Sequence, residues 1–284
     1  YPGGCAFGPR PIDLHLKGME ALGAKIDITA GYIDATVKDN LIGADINLSG
    51  KNGPTVLGTD NVMMAATLAK GTTIIRNAAR EPECTNLAEL LKAMGAKIEG
   101  IGTSTLTIEG VENLKGVEFE VIPDRIETGT FLAMAAAGRG KLKLENTNPE
   151  HLTYVLDLLS SIGCDIKTTK STIEIDASNK ELKPFEIETL PYPGFPTDLQ
   201  AIFTTLACTI KGSSKIKETI YPDRFSNVPE LIRMGADIEL FEPSIIVNGG
   251  NKLSGADVQA SDLRAGAALV IAGAVADGVT DLHR

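Results

Sequence analysis

The segment Tyr1–His15 sets Cys5 among Gly3, Gly4 and Gly8 and Pro2, Pro9 and Pro11, with Arg10 five residues further on. That density of Gly and Pro predicts a loop over the whole stretch rather than a helix or strand. A thiol in an open loop near a guanidinium is favoured as thiolate, the form that attacks electrophiles and relays protons. Most cysteines, by contrast, are small buried hydrophobes. Cys164 suits that plainer role, because it stands where related Gly-Ala pairs have Ala, and so does Cys208 inside an apolar helix pattern. Cys84, in Glu81-Pro82-Glu83-Cys84-Thr85, has no pattern to decide between the two.

A second set of reactive types lies in loops that each precede a helix pattern. They read Pro54-Thr55-Val56-Leu57-Gly58-Thr59-Asp60-Asn61, Pro123-Asp124-Arg125-Ile126-Glu127-Thr128, Pro191-Tyr192-Pro193-Gly194-Phe195-Pro196-Thr197-Asp198 and Ser261-Asp262-Leu263-Arg264. A helix start offers free N–H groups and a positive dipole end, so each loop is expected to favour anions. The plain reading makes Thr197 and Ser261 N-caps, with Asp198 and Asp262 as acidic first-turn residues. Arg264 fits it badly, because a cation in the first turn opposes the dipole. Its placement predicts an anionic partner, either Asp262 or a ligand. His15, His151 and His283 are scattered, and neither a P-loop nor a dinucleotide-binding glycine pattern occurs, so no metal site is expected.

The elements that must position these residues repeat. Met19-Glu20-Ala21-Leu22-Gly23-Ala24-Lys25-Ile26 recurs as Leu91–Ile98, as Leu159–Ile166 and as Leu231–Ile238, with glycines 72, 68 and 72 residues apart. An offset series, Gly71, Gly140, Gly212 and Gly278, is spaced by 69, 72 and 66. Each copy predicts a helix ended by a Gly able to take the left-handed C-cap conformation. Short alternating strands follow, such as Thr105–Ile108 and Ser171–Ile175. A last strand, Glu118–Val121 or Pro184–Glu188, then leads into a second helix. The expected fold is α/β, built of ~70-residue βαβαββ-type units around shared cores.

The 284 residues carry 27 Lys+Arg against 37 Asp+Glu, a formal charge of −10 that disfavours non-specific nucleic-acid binding. No apolar run is long enough for a membrane span, and no signal pattern opens the chain. Four irregularly spaced cysteines form no disulfide framework, which suits a reducing cytoplasm.

Pro2-Gly3-Gly4-Cys5-Ala6-Phe7-Gly8-Pro9-Arg10-Pro11-Ile12-Asp13-Leu14-His15 resembles the cysteine-loop signature of the enolpyruvyl transferases that act on a sugar nucleotide. The likeness continues through Asn77–Glu83, Pro123–Gly129, Pro191–Gln200 and Asp262–Gly266, in the family's order. It implies a two-domain inside-out α/β barrel of six such units, incomplete in this chain, with residues 1–121 in the first domain and 122–284 in the second. The implied activity moves the enolpyruvyl group of phosphoenolpyruvate to the 3-hydroxyl of UDP-N-acetylglucosamine and releases phosphate, the committed step of peptidoglycan synthesis in a bacterial cytoplasm. No cofactor, metal, nucleic acid or membrane is implied.

By that resemblance Cys5 supplies a proton to phosphoenolpyruvate, can form an adduct with it, and is the target of epoxides of the fosfomycin type. Asp198 takes the sugar hydroxyl's proton. Arg264 binds phosphoenolpyruvate, with Asp262 beside it. Arg10, Pro11, Ile12, Asp13 and Leu14 match the uridine-holding segment, and Ile220 a further uridine contact. Arg224 matches a cleft residue. Pro54, Thr55 and Val56 match the loop near the diphosphate, although Leu57 stands where Gly is common. The family also carries substrate-binding residues on both sides of the stretch that these 284 residues match, so this chain by itself is expected to turn over poorly. Two alternatives remain open: a non-catalytic sugar-nucleotide-binding repeat domain, and the sister enzyme that makes enolpyruvyl-shikimate phosphate, which lacks the Gly-Gly-Cys loop.

Overall fold

A computed structural model of the protein describes residues 11–222 and 224–283. Contacts divide the chain into two compact units, with the division between Ile122 and Pro123.

The first unit runs α1 (Asp13–Ala21), β1 (Lys25–Thr29), β2 (Tyr32–Thr36), β3 (Asp45–Asn47), β4 (Ser49–Gly50), β5 (Gly53–Pro54), α2 (Val56–Ala66), β6 (Thr72–Arg76), α3 (Pro82–Ala93), β7 (Lys97–Glu99) and β8 (Thr105–Glu109). Its main sheet has the order β3-β6-β8-β7, with β3 parallel to β6 and the other neighbours antiparallel. From β3 to β8 this is one βαβαββ unit. Strands β6 and β8 bury alternate residues, as one-sided packing of a pleated strand requires. Leu22, Ile46, Leu48, Val62, Met63, Ile75 and Ile108 fill the core beneath.

The second unit runs α4 (Arg125–Ala137), β9 (Lys141–Glu145), α5 (Thr153–Ser161), β10 (Asp165–Thr168), β11 (Thr172–Asp176), β12 (Glu186–Glu188), α6 (Gln200–Cys208), β13 (Gly212–Lys217), α7 (Val228–Arg233), β14 (Ile238–Phe241), β15 (Ser244–Gly249), β16 (Asp257–Gln259), α8 (Leu263–Val275) and β17 (Asp281–His283). A 3-10 turn, Thr197–Leu199, leads into α6. The sheet β12-β13-β15-β14 repeats the order and strand senses of the first unit. Helices α4, α6 and α8, one from each successive copy, pack on one another, and β15 packs behind α6. All nine residues of α6 are therefore buried, and its sequence is apolar nearly all round rather than striped. Helices at the centre with sheets outside them make this an inside-out α/β unit.

The repeat glycines behave as their spacing predicts: Gly23, Gly95, Gly163 and Gly235 follow helices and take φ of 96°, 108°, 117° and 93°. Three expectations fail. The offset series breaks at its second member, where Arg139 (φ 51°) and not Gly140 turns the chain. The Arg139 side chain stabilises that turn, since its guanidinium donates to Ala136 O at 2.7 Å and to Thr209 O at 2.7 Å, covering carbonyls that the helix ends leave free. Glu118–Val121 forms no strand; it has no ladder partner, Val121 is 72% exposed, and the sheet of its copy has three strands, β10-β11-β9. The last three residues of the stretch expected to be loop are helical, because Asp13, Leu14 and His15 form the first turn of α1, where an acidic residue favours the dipole.

Candidate functional site

Asp198 lies on the 3-10 turn before α6, buried enough to be held and exposed enough to meet a ligand. Its Oδ1 is 2.7 Å from Arg224 Nη2 and 3.5 Å from Arg264 Nε, so one carboxylate oxygen sits between two guanidiniums. The side chain of Arg224 is 6% exposed, whereas those of Arg264 and Asp198 are 27% and 38% exposed. Arg224 is built in from several sides: Nη1 donates to Thr197 Oγ1 at 2.8 Å, and the guanidinium lies 5.2 Å from the centre of the Tyr221 ring. Arg264 enters from the first turn of α8, the position that opposed the helix dipole. Its anionic neighbour is Asp198.

Capping residues differ from the expected ones for a geometric reason. Asp262, rather than Ser261, caps α8: its Oδ1 accepts from Arg264 N at 2.9 Å and Ala265 N at 3.0 Å. Its Oδ2 accepts from Ser226 Oγ at 2.9 Å and Ser261 Oγ at 3.2 Å. Burial works against the charge of Asp262, but these four bonds outweigh it and hold the carboxyl below its ordinary value of 3.8. Asp262 is thus bound up in fixing the start of α8, and through it the base of Arg264. Thr197 does not cap either; its hydroxyl donates to Glu218 Oε2 at 2.9 Å and accepts from Arg224. Ile220 enters through its backbone, whose N–H donates to Glu218 Oε1 at 2.7 Å.

The pH dependence of stability follows from Asp262. A carboxyl lowered in the folded state contributes stability that is complete above the ordinary value and is lost as pH falls through the lower folded value. Urea unfolding between pH 5 and about 2 is expected to show stability falling below pH 3.8, with a shallower fall in Asp262→Asn, which keeps a capping oxygen without the titrating group.

In the first unit the candidates for the uridine and the diphosphate lie on or beside the packed pair α1 and α2. Pro11 and Ile12 precede α1, Asp13 and Leu14 open it, and Leu14 lies against Gly50 of the β4–β5 hairpin. Pro54 closes that hairpin, and Thr55 caps α2 by accepting from Gly58 N at 3.1 Å, with Val56 the first helical residue. Asn61 of α2 reaches His15 of α1 at 3.2 Å. Cys5 and Arg10 lie outside the described residues. Among the described residues no cluster of His, Cys, Asp or Glu could hold a metal ion, and no helix is long and apolar enough to cross a membrane.

Cys84, undecided in sequence, is a buried thiol. Burial pushes it far up, and the neighbouring Asp60 carboxyl adds to the shift. Burial likewise raises Cys164 to about 11 and Cys208 to about 12. Native protein treated with iodoacetamide at neutral pH is therefore expected to gain one adduct, on Cys5, and all four only after unfolding; early labelling of Cys84 would contradict this.

Glu218 was missed in sequence, where Lys217-Glu218-Thr219 looks like an ordinary polar strand end. A fully buried Glu linked through Thr197 to Arg224 becomes visible only when residues 189, 197, 218 and 224 are brought together.

The family profile described as EPSP synthase (3-phosphoshikimate 1-carboxyvinyltransferase) matches residues 1–284. The UDP-N-acetylglucosamine 1-carboxyvinyltransferase of Shewanella amazonensis is 53% identical over 283 residues, which is 100% of this chain and 67% of that protein. The protein of the same name from Hydrogenovibrio crunogenus is 50% identical with the same coverage. Among solved structures, the enolpyruvyl transferase NikO from Streptomyces tendae superposes with a TM-score of 0.87 at 25% identity, covering 97% of this chain and 67% of that one. The EPSP synthase of Acinetobacter baumannii gives 0.72 at 21% identity over 96% of this chain and 66% of that one, a likeness of fold. The chain belongs to the enolpyruvyl transferase family.

Proposed function

We propose that the protein transfers the enolpyruvyl group of phosphoenolpyruvate to the 3-hydroxyl of UDP-N-acetylglucosamine, releasing phosphate, in the bacterial cytoplasm as the committed step of peptidoglycan synthesis. The observation that carries the reading is full-chain identity of 50–53% to relatives bearing that name. The Arg224–Asp198–Arg264 cluster supplies the chemistry the reaction needs. The sugar oxygen must bond to C2 of phosphoenolpyruvate while C3 gains a proton; loss of phosphate from C2 and of a proton from C3 then restores the double bond. Asp198 is the group that accepts the sugar hydroxyl's proton, and Cys5 the one that delivers a proton to C3. Arg264 binds the carboxylate or phosphate of phosphoenolpyruvate, and Arg224 braces Asp198. Pro54–Val56 at the α2 start suit the diphosphate, since exposed N–H groups there meet negative charge. Arg10 to Leu14 and Ile220 hold the uridine.

The sister reaction on 3-phosphoshikimate has the family profile's own description in its favour, but the relatives at half identity or more carry the sugar-nucleotide name. The two are separated by labelling Cys5 with an epoxide of the fosfomycin type in the natural full-length protein. Faster labelling with UDP-N-acetylglucosamine present, and no response to shikimate 3-phosphate, is expected. The reverse pattern would assign the sister reaction, and an inert Cys5 would favour a non-catalytic binder.

A further inference from the structure

Glu218 is 0% exposed and lies at the end of β13, behind the Asp198 turn. A buried carboxylate is costly unless its oxygens are filled, and here four donors fill them. Oε1 accepts from Thr189 Oγ1 at 2.7 Å, Ile220 N at 2.7 Å and Tyr221 N at 2.9 Å. Oε2 accepts from Thr197 Oγ1 at 2.9 Å. A threonine hydroxyl has a single proton. Because that proton points to Glu218, the lone pairs of Thr197 Oγ1 face Arg224, whose Nη1 lies 2.8 Å away. The second amino group of the same rigid guanidinium then meets Asp198 at 2.7 Å. The order of donors is fixed along the line: Thr197 to Glu218, Arg224 to Thr197, Arg224 to Asp198.

We infer that Glu218 is a positioning residue for enolpyruvyl transfer, which sets the Thr197 hydroxyl to accept from Arg224 and so fixes the guanidinium against Asp198. The inference rests on the proposed function for its kinetic consequence and on the hydrogen-bond line for its structural one. Glu218 touches no substrate itself; its effect is on where the Asp198 oxygen stands when the sugar hydroxyl arrives. A plain stabilising role would be satisfied by any group that fills the cavity, whereas this role needs an acceptor facing Thr197. In Glu218→Gln the side-chain amide can present its NH2 to Thr197 and compete with Arg224 for the hydroxyl oxygen. In Thr197→Val the shape is kept and the line is cut one step later, with Thr189, Ile220 and Tyr221 still donating to Glu218.

The test measures steady-state kinetics of both variants in the natural full-length protein and determines their crystal structures. Both are expected to lower kcat about tenfold or more while KM for UDP-N-acetylglucosamine stays within about twofold, since misplacement of a reacting group costs rate rather than binding. Arg224 is expected to leave hydrogen-bond reach of Asp198. Should Glu218→Gln fail to fold, Thr197→Val carries the test by itself. Wild-type kcat in Thr197→Val, or an Arg224–Asp198 contact kept at its 2.7 Å in either variant, would overturn the inference. If the unaltered protein transfers no enolpyruvyl group, the proposed function falls, and the crystal structures still decide whether Glu218 positions Arg224.

Discussion

Asp198→Asn is expected to lower kcat for enolpyruvyl transfer by about 10²–10⁴-fold, the range set by loss of a positioned general base. The amide is nearly the same size and still offers an oxygen to Arg224, so the geometry of the turn survives. Basicity does not. Because the same guanidiniums remain to bind anions, KM for either substrate is expected to change by less than about threefold. Stability is expected to fall by no more than about 1 kcal/mol, as the Asp198 side chain is 38% exposed and its ion pairs are screened. A fall in kcat/KM that came wholly from KM would place Asp198 in binding and not in proton transfer.

Arg224→Met is expected to harm both stability and rate. The side chain is 6% exposed, and its removal takes a donor from Thr197 Oγ1, one of two cations from Asp198, and the cation from the Tyr221 face. Water can reach Asp198 but not the buried ground beneath it, so the loss is placed at about 2 kcal/mol, below the range for a wholly buried pair. The rate is expected to fall about 10²–10³-fold, the scale for deleting one preorganised donor. Arg224→Lys separates the two effects. It restores the charge, and with it part of the stability, but a single ammonium cannot bridge Thr197 and Asp198 as the planar fork does. Equal activity of the Lys variant and the natural protein, in thermal melts and initial rates taken together, would show that charge alone suffices.

What the residues told in advance was the local grammar. Gly23, Gly95, Gly163 and Gly235 mark helix ends because their backbone conformation is nearly forbidden to other residues, a constraint that needs no partner. Alternation in Thr105–Ile108 marked a strand for an equally local reason, one buried face. Glu118–Val121 has similar alternation, but a strand exists only with a ladder partner, and the residue pattern does not record one. Capping failed at one-residue precision: Ser261 and Asp262 are both good caps, but the Ser261 hydroxyl is turned to Ser226, 35 residues away, and to Asp262 itself, which leaves the helix N–H groups to Asp262. The site itself was legible only through resemblance. Asp198, Arg224 and Arg264 are distant in sequence and meet because α6, α7 and α8 start at one end of the second unit. Arg264 gave the one physical hint, a cation where the dipole disfavours it, and the side chain that meets it is Asp198 rather than Asp262.

The identity of the acceptor is tested by following the reaction itself. The natural full-length protein is incubated with phosphoenolpyruvate and either UDP-N-acetylglucosamine or shikimate 3-phosphate, and the products are followed by proton and phosphorus NMR. Phosphate is expected to appear only with the sugar nucleotide, in step with a product whose two vinyl protons report the enolpyruvyl ether. Phosphate and vinyl ether formed with shikimate 3-phosphate, and none with UDP-N-acetylglucosamine, would contradict that expectation.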